Sequence, residues 1–343
     1  MATDLRTFTI ASRASELAQV QTNIVRDALA KLYPEHAFAT SFMTTGGDHN
    51  QSQAIYLIGG KEMWTKELEV ALREGAVDML VHSYKDVPTA LPAGCAIAGV
   101  LERENPVDSL IVKEGLSYKS LEELPDGSVV GTSSVRRVAQ LKRRFPKLVF
   151  QDVRGNLNTR MKKLDAPDSP FAAIILAKAG MVRLGWGARI TRDLAPPLLL
   201  PAVSQGALAI EVRADDAAAR ALCAAISHWP TAWACAAERA CLRVLEGGCS
   251  VPVGVHSALA EAAGADGRKG GRMSLTGAVT SLEGERHVEH TESGEVWSEE
   301  EAEALGARLA GVLMGAGAKA ILEDIAADKA RRVKEAEAAE ATV

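Results

Sequence analysis

Short apolar runs alternate with amphipathic stretches through the first two hundred residues. "FTIAS" precedes an amphipathic segment from Ser15 to Leu32, followed by "AFATSFM". "TKELEVALREG" has helical spacing and leads into the continuous apolar run "VDMLVHS". The rhythm resumes with "SVVGTSS", a basic helix to Phe145, "LVFQDV", a helix from Asn156, and "AAIILA". Strands alternating with helices predict an α/β architecture with parallel or mixed sheets. Ligands in such sheets bind beyond the carboxyl ends of the strands. That rule selects Ser12 and Arg13, His82 to Asp86, Thr132 to Arg137, Arg154 to Asn156, and Lys178.

The pattern then changes. "RDLAPPLLLPAV" is proline-rich and reads as a connection between domains. One more strand, "GALAIEVR", precedes helices over Asp215–Ser227 and Thr231–Glu246. "PVGVHSALA", "RMSLTGAVTSL" and "RHVEHTE" predict an antiparallel sheet interrupted by a mobile glycine-rich insertion, "EAAGADGRKGG". Ser298 and Glu301 stand at capping-box spacing ahead of a helical end whose last turns are expected to fray.

Composition narrows the class. The 343 residues carry a net charge of -5, which suits an ordinary soluble protein of two or three domains. Five cysteines at irregular spacing argue against a disulfide framework and structural zinc, and fit a reducing compartment. "MATDLRTFTIASR" has no apolar signal core, and no apolar run of membrane-spanning length stands out. A cytoplasmic protein is the expectation. Between Gly131 and Lys163, ten basic residues face one acid, Asp152, which points to polyanionic ligands. Nucleic acid fits poorly, because the chain is acidic, aromatics are few and no recognition motif is present. Lys142, Arg143 and Lys147 read as a solvated helix face.

Four constellations could carry chemistry. "VHSYKDVP" ends an apolar strand with Lys85 and Asp86, a cation and a carboxylate suited to holding an anion and steadying a nearby cation. Taken alone it equals a solvated strand end, and His82 reads as a hydrogen-bonded packing residue. "VVGTSSVRRVAQL" places three hydroxyls and two arginines at a helix start, a natural anion seat. "VRGNLNTR" repeats the arrangement at the next strand end, and "TIASRASELAQVQ" adds Arg13 and Ser15 at the first. Neither a Walker loop nor GxGxxG is present. "GGDHNQSQAIYLIGGKEMWTKELE" reads as a long loop ending near Lys61, of the kind used as a lid. Finally, Cys249 stands on the turn-forming stretch "RVLEGGCSVPVGVHS", with two glycines clearing space beside it. It reads either as a small hydrophobe in a turn or as a sulfur that must be reached, for example to carry a covalent group.

"HSYKDVPT", "GTSSVRR", "RGNLNTR", "AIILAKAG", "SQGALAIEVR", "AERA" and "EGGCSVPVG" occur in this order. Together, from about Ser12 to His256, the chain resembles the porphobilinogen deaminase (hydroxymethylbilane synthase) family. "RGNLNTRMKKLD" and "EGGCSVPVGVH" look particularly like its eukaryotic members. The resemblance implies a transferase of tetrapyrrole (heme) biosynthesis. Such an enzyme adds four porphobilinogen molecules head to tail, losing ammonia each time, onto a dipyrromethane cofactor. It then releases hydroxymethylbilane by hydrolysis. The matching positions make Cys249 the thioether attachment point and Asp86 the catalytic carboxylate, which also binds cofactor with Lys85, Thr132, Ser133, Ser134, Arg136 and Arg137. Arg13, Ser15, Lys61, Arg154, Arg160, Arg183 and Gln205 match substrate-binding positions, with Lys61 on the family's flexible loop. Leu57, Glu62, Met63, Trp64, Tyr84, Lys178 and Ser204 depart from the pattern.

The resemblance also implies three α/β domains. Residues 1–104 and 202–221 would form the first and 105–201 the second, both like periplasmic binding proteins and joined by two crossings. Residues 222–343 would form the third, with an antiparallel sheet. A monomer that binds neither nucleic acid nor membrane, and uses no metal, is expected. The competing reading is a dicarboxylate- or oxyanion-binding protein with the same cleft and no chemistry, which gives Cys249 no task.

Overall fold

The computed structural model describes residues 6–46, 64–245, 251–264 and 267–340. Cys249 and Lys61 lie outside them, as do Leu57, Glu62 and Met63.

The first sheet takes β1 (Thr7–Arg13), β2 (Ala37–Met43), β3 (Met79–Ser83), β4 (Cys95–Val100) and β10 (Leu208–Arg213) in the order β2-β1-β3-β10-β4. The second takes β5 (Asp108–Val112), β6 (Val129–Gly131), β7 (Val149–Gln151), β8 (Phe171–Ala177) and β9 (Arg192–Leu194) in the order β7-β6-β8-β5-β9. In each sheet one strand, β10 or β5, runs antiparallel to the other four. That antiparallel strand is the first one entered after the chain crosses from the other sheet, out over 101–107 and back over 195–207. The two crossings lie against each other: the Glu104 N–H donates to the Gly206 carbonyl at 3.3 Å. Gly206 has φ +92°, and a Cβ there would come within 2.2 Å of the Glu104 oxygen.

Local sequence accounts for the helices that face the cleft. Ser15 caps α1 (Glu16–Leu32) by accepting from the Ala18 N–H, and Gln21, Thr22, Val25 and Leu29 form its buried stripe. α2 (Lys66–Arg73) buries Leu68 and Leu72. Ser134 caps α3 (Val135–Arg144), and Asn156 caps α4 (Leu157–Asp165). β3 is apolar on both faces because both are covered, with Met79, Leu80 and Val81 all buried. α5 (Lys178–Arg183) follows β8 directly, and α6 (Ala217–Ala225) covers the first sheet behind β10.

The third unit is a meander of β11 (Val253–Ala263), β12 (Lys269–Thr280) and β13 (His287–Val296), packed by α7 (Trp229–Leu245) and α8 (Glu299–Leu313). The stretch read as a mobile insertion is largely strand. Ala260 to Ala263 pair with Lys269 to Arg272, because Gly270 lets β12 press against Trp297, where a Cβ would sit 2.2 Å from the indole. Ser298 caps α8 as expected, while the Glu301 carboxylate accepts from the Trp297 N–H at 2.6 Å. The helical end, Glu299–Lys334, is long enough and has a window apolar enough, at mean hydropathy 1.4, to correct the expectation that no apolar run of membrane-spanning length stands out. It is the core helix of this unit: Leu305, Leu309 and Leu313 are fully buried against the sheet, and α9 (Lys319–Glu340) follows a break at Gly317.

Glu238 on α7, fully buried, ties the third unit to the crossings. Its carboxylate accepts from Arg103 at 2.6 Å and 3.0 Å, from the Ser204 N–H at 2.6 Å and from the Ser257 hydroxyl at 2.6 Å. Charge-assisted bonds of this kind are the strong ones, and a buried carboxylate requires them. α7 and β11 are thereby tied to both crossings.

Candidate active site

The strand ends picked out by the sequence meet in one cleft of roughly 600 Å³ between the two sheets. β1 delivers Arg13, and the cap of α1 delivers Ser15. β3 ends in a 3-10 turn, Tyr84–Asp86, that presents Lys85 and Asp86. From the second sheet come Ser133, Ser134, Arg136 and Arg137 after β6, Arg154 and Arg160 after β7, and Arg183 from α5; Gln205 enters from the second crossing. Thr132 is not on the wall. It is buried beneath it, where its hydroxyl accepts from the Ser134 N–H at 3.3 Å and shapes the turn into α3. Lys178, an extra cation beyond the family pattern, pairs with Asp193 at 2.5 Å instead of entering the cleft.

The lining is electrostatically one-sided. Among the described residues, seven cationic side chains, from Arg13 to Arg183, share the wall with a single carboxylate, Asp86. Burial and cationic neighbours push several of them down from their ordinary values. Lys85 falls to about 8, first through burial and further through Arg137 and Arg136, despite the nearby Asp86. Arg160 falls to about 10 through burial and then Arg137 and Arg154. Burial also lowers Arg183, whose Nε is buried without a hydrogen-bond partner while Nη2 donates to the Gly206 carbonyl at 2.7 Å. Such a site is costly without anions, and carboxylates entering it relieve that cost.

Two arginines are held by a residue the sequence reading did not single out. Asp108, at the start of β5, is fully buried and accepts from Arg137 Nε at 3.0 Å and Nη2 at 2.7 Å. Arg136 Nη1 lies 2.8 Å from its other oxygen and donates to the Leu200 carbonyl at 2.7 Å. Burial alone would raise the Asp108 carboxyl, but the two arginines hold it well below the usual carboxylate range. The only sequence signal is an acid standing at the head of the apolar run "DSLIV".

Two departures from the family pattern acquire places. Trp64 lies under Arg13, whose guanidinium carbon is 4.1 Å from the ring centroid. Tyr84 is buried beneath Arg239 of α7 at 4.4 Å, and Arg239 also donates to the carbonyls of Val87 and Pro88. Burial pushes the Tyr84 hydroxyl up to about 12. The turn that carries Asp86 is thus clamped to the third unit. His82 is a packing residue, with Nε2 3.0 Å from the buried Glu211 carboxylate.

This geometry agrees with what the chain is similar to. Residues 8–221 match the model described as "Porphobilinogen deaminase, dipyromethane cofactor binding domain", and residues 232–315 match "Porphobilinogen deaminase, C-terminal domain". The chain belongs to the porphobilinogen deaminase family. It is 48% identical to the porphobilinogen deaminase of Gloeobacter violaceus, over 93% of this chain and 94% of that one. The yeast Yarrowia lipolytica enzyme is 45% identical, over 92% of each. Among solved structures, the methionine-binding protein MetQ aligns with 71% of this chain and 96% of its own, at 14% identity and a TM-score of 0.41. As a member of this family the chain is a transferase of tetrapyrrole biosynthesis with a dipyrromethane cofactor, and the reading as a carboxylate-binding protein without chemistry is set aside. The cleft suits that cofactor, whose two pyrroles bear acetate and propionate groups: its described lining has seven cations and a buried guanidinium nitrogen without a partner.

Proposed function

We propose that Asp86 is the catalytic carboxylate of head-to-tail porphobilinogen polymerisation and that Cys249 anchors the dipyrromethane through a thioether. When bound, the dipyrromethane is the primer onto which four porphobilinogen units are joined. Lys85, Arg136, Arg137, Ser133 and Ser134 hold its carboxylates, with Thr132 supporting their turn. Arg13, Ser15, Arg154, Arg160, Arg183 and Gln205 hold those of the incoming unit and the lengthening chain. Lys61, outside the described residues, is assigned to substrate binding as well.

The observation that carries this reading is that the described lining of a strongly cationic cleft has a single carboxylate. Loss of ammonia from porphobilinogen leaves a cation delocalised over the pyrrole. Among the described cleft-lining residues, Asp86 is the one that can both accept its N–H and balance its charge. The surrounding arginines and Lys85 bind the substituent carboxylates at the ring edge, fixing the ring relative to Asp86. The expected partner is porphobilinogen, the substrate of a monomeric cytoplasmic enzyme.

Replacing Asp86 by Asn tests the catalytic assignment. The variant should keep the wild-type melting profile while ammonia release falls at least a hundredfold. Turnover within a few-fold of wild type would remove Asp86 from the chemistry.

A further inference from the structure

Asp108 does not line the cleft, yet side chains of the cleft converge on it. It takes two hydrogen bonds from Arg137 and the charge of Arg136, as described. Gln205 Nε2 donates to the same Oδ1 at 2.9 Å and to the Pro106 carbonyl at 2.7 Å. The Gln205 Oε1 in turn accepts from Lys85 Nζ at 3.1 Å. One buried carboxylate therefore serves two guanidinium groups directly and one ammonium through an amide.

The partners of Asp108 come from three other parts of the chain. Lys85 belongs to the turn after β3, Arg136 and Arg137 to α3, and Gln205 to the return crossing. A guanidinium has five N–H donors. Those of Arg137 used on Asp108 and on the Ile175 carbonyl, at 2.7 Å, fix its plane and leave others for a ligand. Without the carboxylate, adjacent guanidinium groups in a buried place would repel one another and Lys85.

We propose that Asp108 is a positioning residue that presets Arg136, Arg137 and Lys85 as one carboxylate-binding array. The proposal rests on the reading that Arg136 and Arg137 hold carboxylates of the pyrrole chain. Asp108 touches neither substrate nor cofactor in this account; it acts through the cations.

The near-isosteric Asp108→Asn tests it in the full-length holoenzyme. The fraction of purified protein bearing the dipyrrole mass should fall at least twofold. KM for porphobilinogen should rise at least tenfold, with kcat changing less. The alkaline limb of kcat/KM should move to lower pH. Lys85 faces Asp86 on its own turn, Arg136 and Arg137 from α3, and Asp108 from β5, so losing Asp108 leaves it one counter-charge against two arginines. A folded variant with wild-type KM and pH profile, or one whose loss is confined to kcat with the profile unmoved, overturns the proposal. If Asp108→Asn does not fold, Gln205→Leu cuts the link from Lys85 to Asp108, together with Gln205's own place in substrate binding. It should shift the alkaline limb in the same direction and raise KM about threefold, and unchanged kinetics would count against the array. Joint replacement of Arg136 and Arg137 by Leu separates the two readings. An unaltered KM there would defeat the anion-seat reading itself, whatever Asp108 does.

Discussion

Asn158 Nδ2 donates to the Glu16 carboxylate at 2.6 Å, joining the first turn of α4 to the first turn of α1 across the cleft. The contact is exposed and links helices that follow different sheets, so it favours a closed arrangement without stabilising either sheet. A hydrogen bond to a charged group contributes about 1.5–3 kcal/mol when formed in full, and less at an exposed position. Asn158→Ala should leave the unfolding free energy within about 0.5 kcal/mol of wild type. Amide exchange in the first turns of α1 and α4 should accelerate several-fold. Unchanged exchange there would mean the contact does not hold the cleft shut.

Lys85 makes the cost of the anion seat measurable. Its ammonium sits at about 8 in the folded protein, against an ordinary value of 10.5, chiefly through burial. Between these values the unfolded chain binds the extra proton, so the contribution of this group to stability rises with pH through that window. Below pH 8 its penalty is fully present. In protein free of bound anions, Lys85→Met should therefore gain on the order of 1–2 kcal/mol at pH 7. The gain should fade toward pH 10.5. Urea titrations at pH 7 and 10 check this, and a gain independent of pH would contradict the assigned cause.

Ser204, one of the departures from the family pattern, has φ +61°, in the left-handed region that favours glycine. The serine is kept there by its neighbours, since its N–H donates to Glu238 at 2.6 Å. Ser204→Gly preserves that bond and removes the backbone strain. It should raise the urea midpoint, by about 0.5–1 kcal/mol in stability. A lower midpoint would show that the serine side chain contributes more than its backbone costs.

The clarity of the sequence differed from element to element for physical reasons. "VDMLVHS" announced a doubly covered strand because both its faces are apolar, and hydroxyl caps such as Ser15 and Ser134 announced helix starts that point at the cleft. Asp108 could not be found this way. It meets Arg137 only because β5 returns antiparallel beside β8, a pairing set by topology and not by spacing. The Arg239 clamp on Tyr84 and the Glu238 hub are likewise long-range pairings, with no local pattern to betray them. The glycines of "EAAGADGRKGG" misled in the other direction. They read as flexibility, whereas Gly270 serves a close strand contact with Trp297.

The central claim is that pyrroles are joined on a primer tethered through the Cys249 sulfur inside a cleft of opposite charge. The intact mass of purified, active protein tests it most directly. It should exceed the polypeptide mass by one dipyrromethane, localised by peptide mapping to Cys249 and missing from Cys249→Ala. Protein that makes hydroxymethylbilane at full rate while weighing no more than its amino acids would contradict it.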